Sequence, residues 1–360
     1  MITTAEDLKA LMARAHKIDA VGLDTEFVWE RTYYPRLGLI QLALSNEECF
    51  LIDPCALDDL SPLGELLADK QVVKIFHDAP QDLSILRSAT GHDPENIFDT
   101  RLAAGFAGLS STISLAALVE LLLDIQLKKT ETRTNWLKRP LAAKQTAYAR
   151  DDVRYLRALR VLLLARVIPG AKDWLNEELK ELDRPESYNG IGDRERYSKI
   201  KGAGSLNGQS LAILQELAAW REQEARKKNR PRGHIIKDPV LLAIAREQLQ
   251  AHDAIEACGQ ISSKTVKTYG DTLIALVTKG QKREQEEHPP LLRNSKLKKN
   301  EKTALASLHD YIVLKSDVNG IDPALIGNKS ELTKIIRQPS TPSRQTRGWR
   351  KEFLAEIGEA

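Results

Sequence analysis

Cysteine is scarce in this chain: Cys49, Cys55 and Cys258 are the only three among 360 residues. They form neither a disulfide framework nor a metal-ligand spacing, which predicts free thiols in a reducing cytoplasm. An uninterrupted run of about 18 apolar residues is also missing, so no membrane-spanning helix is available. Residues Met1–Asp7 lack the basic start and apolar stretch of a secretion signal, and a cytoplasmic location is expected. The phosphate-cradling Gly-x-x-x-x-Gly-Lys-Ser/Thr loop is absent, which excludes a helicase motor. Compositional extremes are missing too. A hydrophobic share of 42% and a charged share of 29% exclude a collagen-like or wholly disordered chain. The length allows two or three domains.

What is present is uneven along the chain. Residues 1–170 hold 20 Lys+Arg and 23 Asp+Glu, whereas residues 171–360 hold 33 and 27. An acidic front beside a basic back suits a cation-binding site coupled to a polyanion-holding module. The first half reads as strands at 20–27, 33–44, 48–52 and 72–76. Helices are expected at 57–68, from Pro80, near Thr100, at 114–123 and in one long stretch over 141–167. That order implies a mixed sheet flanked by helices. Residues 169–204 carry Pro169-Gly170, Arg184-Pro185 and Gly202-Ala203-Gly204, the chemistry of a linker, with one helix at 174–182. From Ser210 short amphipathic helices follow one another to residue 280. A polar, basic second linker precedes a last helical set from residue 301. The expected division is 1–168, a linker 169–204, 205–283, a linker 284–299, and 300–360.

The chemistry-bearing residues lie mostly in the first part. In Val21-Gly22-Leu23-Asp24-Thr25-Glu26-Phe27, the strand period of two puts Asp24 and Glu26 on one face. Like charges about 4 Å apart repel by about 4 kcal/mol at an effective dielectric of 20. A proton, a basic side chain or a metal must offset that, unless the strand end simply faces solvent. Further on, His77-Asp78-Ala79-Pro80-Gln81-Asp82 runs from a strand into a helix. Asp78 is expected to cap that helix, and Asp82 falls in its first turn, at the strand edge where open α/β sheets place their sites. Tyr148 and Asp152 stand four apart on the long helix and share a face.

Taken together, Asp24-Thr25-Glu26-Phe27, Phe76-His77 with Asp82-Leu83, and Tyr148 with Asp152 resemble the three exonuclease motifs of the DEDD superfamily, tyrosine subtype. The stretch Arg31-Thr32-Tyr33-Tyr34-Pro35, then Leu37–Leu42, and Trp136 with Arg139-Pro140-Leu141 extend the likeness to the bacterial ribonuclease D family. Residues 207–280, with Trp220-Arg221-Glu222, Asn229-Arg230-Pro231-Arg232 and Asp238, look like the HRDC domain of that family. The tail resembles a second HRDC-like unit more loosely.

The resemblance implies a ribonuclease H-like α/β nuclease domain followed by all-α HRDC domains. It also implies hydrolysis of RNA phosphodiesters from the 3′ end, with release of nucleoside 5′-monophosphates. Transfer RNA precursors are the expected substrates, and a monomer is the expected form. Two divalent ions, Mg²⁺ or Mn²⁺, would sit on Asp24, Glu26, Asp82 and Asp152. Four oxygen donors suit such ions better than they suit a two-carboxylate acid–base pair. Tyr148 would orient the attacking water. Its ordinary pKa near 10 makes it a poor base at pH 7. Phe27, Gln41 and His77 would hold the terminal nucleotides, although core packing accounts equally for Phe27 and a satisfied polar role equally for His77. Lys227, Lys228 and Arg230, at a helix end, would touch phosphate, as would Lys128, Lys129 and Arg133 in a loop. A DNA exonuclease or a non-catalytic RNA-binding scaffold of the same fold are the competing readings.

Overall fold

The computed structural model describes residues 1–127, 134–188, 190–292 and 297–355. In chain order the first part runs α1 (Ala5–Ala15), β1 (Ala20–Val28), β2 (Arg36–Ala43), β3 (Cys49–Ile52), α2 (Ser61–Ala68), β4 (Val73–Phe76) and α3 (Pro80–Thr90). It continues with β5 (Ile97–Asp99), α4 (Thr100–Phe106), α5 (Leu115–Leu123), α6 (Ala143–Arg154), α7 (Leu156–Arg166) and α8 (Pro169–Leu182). The middle part is α9 (Gly208–Lys227), α10 (Arg232–Ile235), α11 (Asp238–Glu247), α12 (His252–Ala257) and α13 (Ser263–Gln281). The last part is α14 (Lys299–Val318), α15 (Lys329–Arg337) and α16 (Gly348–Leu354).

The sheet has the order β3-β2-β1-β4-β5, with β1, β4 and β5 mutually parallel and β2–β3 antiparallel. It is mixed, as the sequence predicts. Strand β1 sits at its centre because both of its faces are covered. Val21 and Leu23 pack with Leu8, Leu66 and Leu83 on one side, and Ala20 joins Val153 and Leu156 on the other. Gly22 has a specific task. A Cβ there would lie 2.9 Å from the carbonyl oxygen of Val153, so only glycine admits the α6–α7 junction so close to β1.

Three elements differ from the sequence reading. The expected long helix over 141–167 is two helices, broken at Tyr155, where φ −102° and ψ 0° leave the helical region. Residues 169–182 form a continuous helix, begun by Pro169 in its first turn, rather than loose linker. Asp78 does not cap α3. It takes a positive φ of 72°, and Asp99 instead accepts the N–H groups of Asp78 and Ala79, at 3.2 and 2.9 Å.

The described residues form two compact units. One comprises residues 1–28, 37–189 and 297–360, the other residues 29–36 and 190–296. The helical set expected to stand apart at 300–360 therefore shares the core of the first part. Trp349, 1% exposed, stacks on Trp174 of α8 with ring centroids 5.3 Å apart and meets Phe106 of α4 edge-on. Its indole N–H donates to Glu178 at 2.7 Å. The second unit is built on α9, whose Leu211, Leu214, Leu217 and Ala218 pack with Val240, Leu241, Leu273 and Val277. Among the described residues no helix is long and apolar enough to cross a membrane.

Candidate active site

Strand β1, helix α3 and helix α6 deliver four carboxylates to one place. One ligand oxygen each from Asp24, Glu26 and Asp152 lies within 4.8 Å of the others. Asp82 stands beside this trio, 8% exposed, with its carboxylate accepting the Thr25 hydroxyl. Thr25 is on the opposite face of β1 from Asp24, so one three-residue stretch supplies two acids of the trio and the clamp that holds the fourth. Sequence reasoning assigned Thr25 no role. A hydroxyl between two acids on a buried strand is the signal that marks it.

The electrostatics favour added positive charge or bound protons. Burial, then the charges of Asp82, Asp152 and Glu26, push the Asp24 carboxyl well above the usual carboxylate range. Burial, then Asp152 and Asp82, push Glu26 up to about 8. Burial lifts Asp82 to about 7, although the Thr25 hydroxyl opposes the rise. Burial likewise lifts Asp152 to about 7, against the contribution of Tyr148. Such a group of acids holds protons near neutrality unless positive charge replaces them. The donor set is all oxygen, which fits hard divalent ions such as Mg²⁺ or Mn²⁺.

Tyr148 lies against Asp152. Burial, then the carboxylates of Asp152, Glu26 and Asp24, raises its phenol further, so it keeps its proton across the physiological range. Its ring is set from behind. Trp136, 2% exposed, lies 6.3 Å from it between centroids and packs with Leu39, Leu51 and Ala149. Arg139 fixes that layer. Its guanidinium reaches both oxygens of Asp53, at 2.5 and 2.6 Å, and donates to the carbonyls of Gly38 at 2.7 Å and Trp136 at 2.8 Å. Gln145 caps α6 by accepting the Ala142 N–H at 2.9 Å while donating to Thr134. The Trp136 and Arg139 stretch thus positions the start of the helix that carries Tyr148 and Asp152.

The expected substrate contacts fall differently. His77 engages both ring nitrogens inside the protein, with Thr100 Oγ1 at 2.9 Å and the Ile113 carbonyl at 3.1 Å. Burial pushes its pKa down, and the imidazole is a neutral strut beside the site. Gln41 is fully buried on β2, with both ends of its amide unpartnered among the described residues. Phe27 is half-buried at the end of β1. Lys227 and Arg230 are exposed, and Lys228, also exposed, pairs with Glu224 at 2.9 Å and sits over the Tyr269 ring. Lys128, Lys129 and Arg133 lie outside the described residues.

Comparison with known proteins bears on the family and the fold. Residues 1–167 match the family model described as 3′-5′ exonuclease, and residues 210–277 match the HRDC domain. A protein named ribonuclease D from Desulfotalea psychrophila is 54% identical over 99% of this chain and 96% of its own length. Another so named, from Pseudomonas paraeruginosa, is 36% identical over 93% of this chain and 90% of its own. The crystal structure of Escherichia coli RNase D, described as an exoribonuclease involved in structured RNA processing, superposes with a TM-score of 0.87. It is 30% identical and covers 99% of this chain and 96% of that one.

Proposed function

The chain belongs to the ribonuclease D family and is a 3′→5′ exoribonuclease, and we propose that it works through two divalent ions held by Asp24, Glu26, Asp82 and Asp152. The observation that carries this reading is the convergence of three carboxylates within 4.8 Å, with the fourth clamped beside them by Thr25. Asp24, Glu26 and Asp152 would hold one ion, and Asp24 with Asp82 the other. When bound, such ions lower the pKa of water toward neutrality and offset charge on the departing oxygen.

The chain's own residues then supply direction. Tyr148 retains its proton and orients the attacking water by hydrogen bonding, on a helix fixed by Trp136 and Arg139. The Thr25 hydroxyl stops Asp82 from turning away. Phe27, at the end of β1, would meet the terminal nucleotide. All four carboxylates come from one chain, which supports a monomer as the active form. The three free thiols suit a cytoplasmic setting. Structured RNA precursors, transfer RNA above all, are the proposed substrates. Support for this comes from the likeness to an enzyme of structured RNA processing.

The test uses a 5′-labelled transfer RNA precursor with Mg²⁺, with and without chelator. A ladder that shortens from the 3′ end only with free Mg²⁺ is expected, and it should vanish in Asp24→Asn, which still binds RNA. A DNA oligomer of the same sequence, cleaved as fast as the RNA, would redirect the reading to DNA. Release of nucleotides in the presence of chelator would overturn the metal role.

A further inference from the structure

Two large aromatic side chains stand in solvent on the connection that leaves the catalytic strand. Trp29 is 53% exposed and Tyr34 is 48% exposed. A single exposed aromatic is ordinary, but these two fall within one short stretch, residues 29–34. Trp29 directly follows β1. It stands three residues past Glu26. Three residues of chain reach at most about 11 Å, so the indole cannot be far from the carboxylates.

The indole is set rather than loose. Its N–H donates to the Tyr33 carbonyl at 2.9 Å. That N–H is the only polar group of the ring, so what stays exposed is apolar π surface. Tyr33 is itself anchored, since its hydroxyl donates to Glu222. Tyr34 meets the Tyr33 ring edge-on, with centroids 4.9 Å apart. Arg31 and Arg36 are exposed in the same connection and pair with no carboxylate among the described residues. A fixed aromatic face beside unpaired guanidinium groups is a surface on which an unpaired nucleobase stacks.

We infer that Trp29 is the stacking platform for one base near the 3′ end of the RNA, and that it sets a preference for a purine there. The inference rests on the RNA substrate of the proposed function and adds a specificity-determining residue to it. A purine offers a larger π face than a pyrimidine, so the preference follows from stacking strength and needs no reading of base edges. A base already paired in a duplex does not offer its face in this way, so the platform selects single-stranded 3′ ends.

The test is a double-mutant cycle on binding, without hydrolysis. The full chain carrying Asp24→Asn is titrated with a 5′-fluorescent single-stranded RNA of about 20 nucleotides. The strand is intact or carries one abasic nucleotide, placed at each of the last few positions in turn. At one position, loss of the base should weaken binding about fivefold or more. With Trp29→Leu added, intact RNA should bind about as weakly as that abasic strand, and the abasic effect should vanish. Trp29→Phe keeps a ring without the N–H and should retain most of the effect, together with the preference for a purine. Trp29 is exposed, so both variants should melt with the parent chain.

Abasic effects of the same size in Trp29→Leu and in the parent, at every position, would overturn the inference. An equal loss of affinity for intact and abasic strands would overturn it too, and would assign Trp29 to the shape of the connection. Failure of the enzymatic reading is seen separately, as no shortening of RNA by the chain with Asp24 intact.

Discussion

Asn229 accepts, through one side-chain oxygen, the backbone N–H groups of both Tyr33 at 3.1 Å and Tyr34 at 3.2 Å. The tyrosines belong to the connection between β1 and β2, a few residues past Glu26. Asn229 closes α9 in a left-handed conformation, φ 45°, with the N–H of Arg230 returning to the Ala225 carbonyl and its own to Arg226. Tyr33 adds its hydroxyl to Glu222, and Arg232 covers its ring at 5.2 Å. The connection that follows the catalytic strand is thus held by the HRDC segment.

Asn229→Gly isolates that hold, since glycine keeps the left-handed helix end and removes only the acceptor. Each such bond is worth about 1 kcal/mol. Hydrogen exchange at the Tyr33 and Tyr34 amides should accelerate roughly fivefold or more, while the Arg230 amide stays protected. Equal exchange in both proteins would show that the side chain does not restrain the loop.

Gly22→Ala should disable the enzyme without touching a carboxylate. The added methyl meets a backbone oxygen of the α6–α7 junction at 2.9 Å and must push Tyr148 and Asp152 away from Asp24. A displacement of about 1 Å costs about 10²-fold in rate. Turnover should fall by that order, with apparent Mg²⁺ affinity weakened in parallel. Near-normal turnover would mean that α6 need not pack so close.

Tyr148→Phe separates orientation from metal binding. Turnover should drop about 10–100-fold while Mn²⁺ affinity, read by calorimetry, stays constant. Burial and three carboxylates hold the phenol protonated, so the rate of the unsubstituted chain should show no fall from Tyr148 ionisation up to pH 10. An unchanged rate in the variant would remove Tyr148 from the reaction.

Lys74 makes stability depend on pH. It is fully buried on β4, its ammonium donates to the Asp69 carbonyl, and burial lowers its pKa from 10.5 to about 8, against the attraction of Asp69, Asp183 and Glu95. Between pH 8 and 10.5 the unfolded chain therefore binds more protons than the folded one. Stability should rise with pH across that window, by up to about 3 kcal/mol, and the penalty is full below pH 8. Lys74→Met should be the more stable protein at pH 7 and should lack the rise. Urea melts at pH 7, 8, 9 and 10 check this, and parallel curves for the two proteins would refute it.

The carboxylate cluster was legible because its acids stand in short patterns whose period fixes their face. Asp24 and Glu26 share a strand side, and Tyr148 and Asp152 share a helix side. The supporting contacts were not, because they join residues far apart in the chain. Arg139 meets Asp53, Thr25 meets Asp82, and Asp99 takes the capping role expected of Asp78. The membership of residues 297–355 in the nuclease core was hidden for a similar reason. Helical periodicity shows an apolar face but not its partner, and here Trp349 finds Trp174 and Phe106. His77 had two roles open from sequence, and the bonds of its ring to Thr100 and the Ile113 carbonyl favour the satisfied polar one.

The most direct test is the anomalous scattering of crystals soaked in millimolar Mn²⁺. Two peaks about 4 Å apart are expected, one bounded by Asp24, Glu26 and Asp152 and the other by Asp24 and Asp82. No peak among these four side chains, at a concentration that supports hydrolysis in solution, would contradict the account.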